Sequence, residues 1–124
     1  MKTQEQIERA NGYYQQAVEL GNKIYALCGE LFNENELVSY VVEVSRWDTH
    51  ATLRVFAMIG YGNRVSEALR SLAGNFSETI TFADFTSDDE YSQFVDKVVE
   101  NAKPFVRRAA NVREIVEQEK TMNV

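Results

Sequence analysis

Two long apolar stripes, one near each end of the chain, enclose a middle in which apolar and polar residues alternate. In the first stripe Ile7, Ala10, Tyr14, Ala17, Gly21, Ile24, Cys28 and Leu31 recur at steps of three and four. That spacing puts them on one face of a helix and predicts a helix over residues 3–32. Thr3 and Gln6 stand as a capping box at its start. Ala10, Ala17, Gly21 and Cys28 are small, so a neighbouring backbone can come close to this face. Gly12, Gly21 and Gly29 each weaken a helix by about 1 kcal/mol relative to Ala, so a bend is expected near one of them.

Residues 37–47 change period. Val38, Tyr40, Val42 and Val44 alternate with Ser39, Val41, Glu43 and Ser45, which predicts a strand. Asp48-Thr49-His50 is a turn, and Ala51–Ile59 returns as a second strand, although the same residues could open a helix. Residues 60–63 form a connector, and Asn63 caps a short helix over 64–73. A third strand is expected over 78–85, carrying Ile80 and Phe82 on one face. Ser87 and Glu90 then cap the last helix. Its stripe is Tyr91, Val95, Val98, Ala102, Phe105, Ala109, Val112 and Val116, and Pro104 is expected to kink it or restart it. The pattern predicts one α+β domain over 1–124. Long N- and C-terminal helices flank a small antiparallel sheet, in the order α-β-β-α-β-α.

Two helices of thirty residues run ~45 Å, whereas a compact globule of this length is ~35 Å across. Either breaks shorten them or a partner covers the overhang. A homodimer through the helical stripes meets that condition. So does packing of both stripes on each other and on the sheet of one chain.

The net charge is −6, and its distribution says more than its sum. Between positions 75 and 100 lie Glu78, Asp84, Asp88, Asp89, Glu90, Asp96 and Glu100 against Lys97 alone. Elsewhere acids and bases cancel. Acids in the first turn of a helix complement its dipole. The same acids, with Phe85 and Tyr91 beside them, also form a candidate docking surface for a partner with a basic groove. Asp84, Phe85, Asp88, Asp89, Glu90, Tyr91 and Asp96 are therefore the candidate partner-binding residues. The acidic balance disfavours nucleic acid and anionic membranes as direct partners.

Candidate chemistry is sparse. His50 is the only histidine, and Cys28, the only cysteine, falls on the first stripe, where a thiol is inert. The acid spacing around Asp84 lacks the EF-hand pattern. The glycines at 60 and 62 lack the third glycine of a dinucleotide loop. No catalytic residue, metal or cofactor is assigned. The first ten residues contain no apolar run of a leader peptide, and no apolar run approaches the ~20 residues of a membrane span. A cytoplasmic protein is expected.

These features predict a small acidic non-enzymatic protein-binding protein, of the kind that serves as an inhibitor in phage or mobile elements. A dimeric secretion-type chaperone or assembly factor is the first alternative. A small-ligand module or enzyme using His50 or the helix start at Asn63 is the second.

Overall fold

Alternation in the middle of the chain becomes a three-stranded antiparallel meander, in the order β1-β2-β3, in a computed structural model that describes residues 3–33, 37–60 and 74–122. The elements are α1 (Gln4–Phe32), β1 (Val38–Arg46), β2 (Ala51–Ile59), β3 (Asn75–Phe82) and α2 (Asp88–Met122). The α+β fold with long flanking helices is as the patterns predict. The helix expected over 64–73, its Asn63 cap and the 61–63 part of the connector lie outside the described residues.

The ambiguous segment Ala51–Ile59 is the central strand. Ala51, Leu53, Val55, Ala57 and Ile59 are all buried, because β2 is paired on both sides and covered on one face. Val38, Tyr40, Val42 and Val44 of β1 and Phe76, Ile80 and Phe82 of β3 complete that inner face. Both helices lie across it. α1 covers β1 and β2, and α2 covers β3. The opposite face, with Val41, Arg54 and Met58, carries no helix among the described residues and is exposed.

α1 is capped as its sequence predicts. Thr3 Oγ1 accepts from Gln6 N at 3.2 Å, and Gln6 Oε1 accepts from Thr3 N at 3.0 Å. None of its glycines breaks it. Gly21 is the point of closest approach to the sheet: a Cβ there would stand 3.2 Å from Val44 Cγ2 and 3.3 Å from Leu53 Cδ1. Ala10, Ala17, Ile24 and Cys28 are buried on the same stripe, and Phe32 closes it. On α2 the buried stripe is Phe94, Val98, Ala102, Phe105, Ala109 and Val112. The rings of Phe32, Phe76 and Phe105 meet one another at 5.7 to 6.1 Å, tying the end of α1 to β3 and α2. Most of both stripes therefore packs on the chain's own sheet, while Ile7 at the start of the first remains exposed.

α2 runs through Pro104 without interruption. Pro104 is exposed, so the Glu100 carbonyl it leaves unbonded can turn to water. At 35 residues α2 is about 52 Å long, against about 30 Å for a nine-residue strand. The chain exposes 8514 Å², about a quarter more than the ~6,800 Å² of a compact monomer of this mass.

Candidate functional site

Three chain segments meet at one end of the molecule: the first turns of α1, the β1–β2 turn and the β3–α2 turn. The β1–β2 turn is tight, because Trp47 N donates to His50 O at 2.9 Å across Asp48 and Thr49. It stands the Trp47 and His50 rings in a stack, 6.0 Å apart and 17° from parallel. Trp47 is 53% exposed, and its indole N–H donates to Thr52 Oγ1 at 3.0 Å. Arg46 crosses to α1 and donates to Asn11 Oδ1 at 2.9 Å.

β3 ends at Phe82, three residues before the expected end of the third strand, and the β3–α2 turn follows. Thr86 holds it. Its hydroxyl accepts from Ala83 N at 3.0 Å and donates to Thr81 O at 2.9 Å, while Thr86 N donates to Ala83 O at 3.0 Å. Asp84 and Phe85 form the tip of this clamped loop. Phe85 is 78% exposed, the most exposed of the large apolar side chains described. Asp84 pairs with Arg9 at 3.6 Å, an exposed ion pair of little energetic weight. Ser87 Oγ then accepts from Glu90 N at 3.3 Å and caps α2.

The turns enclose shallow clefts. One of about 310 Å³ is lined by Thr49, His50, Thr81, Ala83, Asp84 and Phe85. A second of about 140 Å³ lies between Arg9, Tyr13, Thr49 and Asp84, so Asp84 walls both.

The seven predicted partner-binding residues divide into three groups. Asp84 and Phe85 share the loop tip. Asp89 and Asp96 are seven residues apart and project from the side of α2 opposite Phe94 and Val98, whereas Asp88 and Glu90 turn about 100° to either side of Asp89. Tyr91 faces inward. Its ring stacks on Phe82 at 4.7 Å and its hydroxyl donates to Gln16 Oε1 at 3.2 Å. Burial, and then the carboxylates of Asp88 and Glu90, push that hydroxyl above the usual tyrosine range. Tyr91 is therefore a packing residue and Phe85 the open aromatic. Neither Lys103 nor Arg107 forms an ion pair with these acids among the described residues.

Cys28 takes no part in this site. It is fully buried, and burial pushes its thiol up to about 11, which keeps it protonated at neutral pH. It also lies about 25 Å along α1 from Asn11, the α1 residue that holds the hairpin end. In the sequence Arg46 and Trp47 belong, with Arg54 and Arg64, to a mildly basic stretch that is thin for nucleic acid, and nothing local shows that they stand at this end of the fold. No group of three or more metal-ligating side chains occurs among the described residues, and no described helix is long and apolar enough to cross a membrane. Comparisons of the chain with protein-family models, with curated proteins and with solved structures find no match.

Proposed function

We propose that this chain is a non-enzymatic protein-binding protein that docks on a basic surface of its target through the β3–α2 turn. The observation that carries the reading is Phe85: a phenyl ring 78% exposed on a loop that Thr86 clamps at three points. Exposing a large ring on a rigid loop is costly in water, and aromatic side chains of this kind are the anchors of protein interfaces. Asp84 beside it and the exposed Asp88 and Asp89 at the start of α2 carry negative charge, which steers a basic partner. The cleft of about 310 Å³ beside the ring gives that partner a recess for one of its own side chains. An inhibitor that occludes a basic groove is the form of this function that the charge favours.

The test is capture of partners from lysate of the native source at low and high salt. Wild type is compared with Phe85→Ser, with a variant carrying Asp84→Asn, Asp88→Asn and Asp89→Asn, and with a control carrying Glu19→Gln and Glu30→Gln on α1. The reading expects one partner that salt, Phe85→Ser and the aspartate variant each remove and the control retains. A partner retained equally by all four proteins would place binding on another surface.

A further inference from the structure

The two edges of the sheet are built differently. On β3, Glu78 points onto the inner face, where Asn101 of α2 donates its side-chain amide to the carboxylate. An inward charge is a device that keeps an edge strand from pairing with another chain. β1, although α1 lies on its inner face, runs nine residues without proline, glycine or an inward charge until Arg46 at its end.

Its free hydrogen-bonding groups can be assigned from the hairpin. Gly60 N donates to Leu37 O at 2.6 Å and Trp47 N to His50 O at 2.9 Å, so the odd-numbered residues of β1 bond to β2. The backbone N–H and C=O groups of Val38, Tyr40, Val42, Val44 and Arg46 therefore point away from the sheet, and no described strand pairs with them. The inner side chains of this edge are also incompletely covered. Tyr40, Val42 and Val44 are half-buried where the matching residues of β2 are fully buried. Beside them α1 leaves Tyr25 56% and Ile7 41% exposed.

We propose that β1 is the interface with a second copy of this chain, joined antiparallel about a two-fold axis at Val42 to give a continuous six-stranded sheet. That register overlaps all nine residues and satisfies every outward backbone group of the strand. It sets Val44 against the partner's Tyr40 and Glu43 against the partner's Val41. No like charges stand directly opposite, and Glu43 keeps Arg54 as its cross-strand neighbour on β2. An axis at Glu43 would set the two carboxylates face to face. The strand is thus self-complementary, as a two-fold interface requires.

Sedimentation equilibrium of the full chain is expected to give twice 14.2 kDa. Hydrogen exchange then tests the interface itself. On dilution to monomer the Tyr40, Val42 and Val44 amides lose protection by at least about tenfold, while those of Val41 and Glu43, bonded to β2, do not. Val42→Pro removes an outward N–H and no bond to β2, so this variant is expected to be monomeric with unchanged far-UV circular dichroism. A wild-type mass of one chain at the highest attainable concentration overturns the proposal. So does a dimer whose Tyr40, Val42 and Val44 amides exchange as freely as in the monomer, whether or not the proline variant folds.

Discussion

Gly12 and Gly21 lie in the same helix and separate two opposing effects of one added methyl group. Replacing glycine by alanine in a helix interior gains about 0.8–1.0 kcal/mol from backbone entropy and solvation. At Gly12 nothing lies within 4 Å of the new Cβ, so Gly12→Ala is expected to deliver that gain. At Gly21 the Cβ would meet Val44 Cγ2 at 3.2 Å, Leu53 Cδ1 at 3.3 Å and Val42 Cγ1 at 3.6 Å. Carbon atoms are best placed at about 3.5–4.0 Å, so two of the three contacts are too short. Leu53 is fully buried and has nowhere to retreat, and Val44 is stiff about χ1. Overpacking of this kind costs about 1–3 kcal/mol. Set against the same helix gain, Gly21→Ala is expected to lower stability by about 1 kcal/mol, and Gly21→Val by about 3 kcal/mol.

The two alanine variants therefore differ by about 2 kcal/mol. For 124 residues, at about 2.1 cal/mol/K each, 1 kcal/mol moves Tm by about 4 °C. The expected gap is about 8 °C in thermal melts followed by circular dichroism, with urea unfolding to confirm an unchanged m value. If Gly21→Ala stabilises the protein as much as Gly12→Ala, the close approach of α1 to the sheet is wrong. If Gly12→Ala destabilises it, the solvated face of α1 is wrong.

Two further perturbations probe the core. Phe105→Ala empties the place where Phe32 and Phe76 meet α2, and should cost about 3–5 kcal/mol in urea unfolding; a loss below 1 kcal/mol would mean that the ring is not packed there. Cys28 makes stability fall at alkaline pH. Its thiol titrates near 11 in the fold against an ordinary 9.0, so its contribution is complete below pH 9. As pH rises from 9 to 11 the unfolded chain releases its proton first, and on the order of 3 kcal/mol is lost. Tyr40 and Tyr91, whose hydroxyls are also raised by burial, add loss in the same direction at higher pH. Urea midpoints across this range should fall less steeply for Cys28→Ala; parallel curves would show that the thiol does not titrate differently in the two states.

What could be read from the sequence was local. Period-two alternation marks β1 and β2, and steps of three and four mark both helices, because each of these elements buries one face against one layer. β3 was misplaced by three residues for a long-range reason. Its inner register is Phe76, Glu78, Ile80 and Phe82, and Glu78 breaks the apolar alternation. That carboxylate is accommodated by Asn101, twenty-three residues away, which no local pattern reveals. Pro104 does not restart the helix, which continues as one element through it. In the candidate site the acids and Phe85 were legible as composition. Their arrangement was not, because it depends on Arg9–Asp84 and Arg46–Asn11 contacts between distant segments. Tyr91, read as an anchor beside them, also satisfies the helical stripe, and in the fold the stripe determines its direction.

The two exposed features of this molecule serve different purposes, and their geometry connects them. Helices cover one face of the sheet, and Glu78 points inward from β3, so among the described residues the β1 edge and the turn end stand out as places where hydrogen-bonding groups or a large ring meet water. Pairing of β1 about Val42 would cover the first and leave the second untouched, because Trp47 and the β3–α2 turn lie beyond the end of the strand. It would also duplicate the docking end. Five residues separate Val42 from Trp47, so antiparallel pairing sets the two Trp47 turns about 33 Å apart, at opposite ends of one continuous sheet. A target presenting two basic grooves at that spacing would be held by both copies at once, with a gain in avidity that neither site has alone. Val42→Pro should then weaken capture of such a target while leaving Phe85 and its neighbouring acids in place. Phe85→Ser should abolish capture without changing the mass of the dimer. Opposite behaviour of the two variants is the signature of a dimer built at one surface and used at another; identical behaviour would mean that the edge and the turn belong to a single interface.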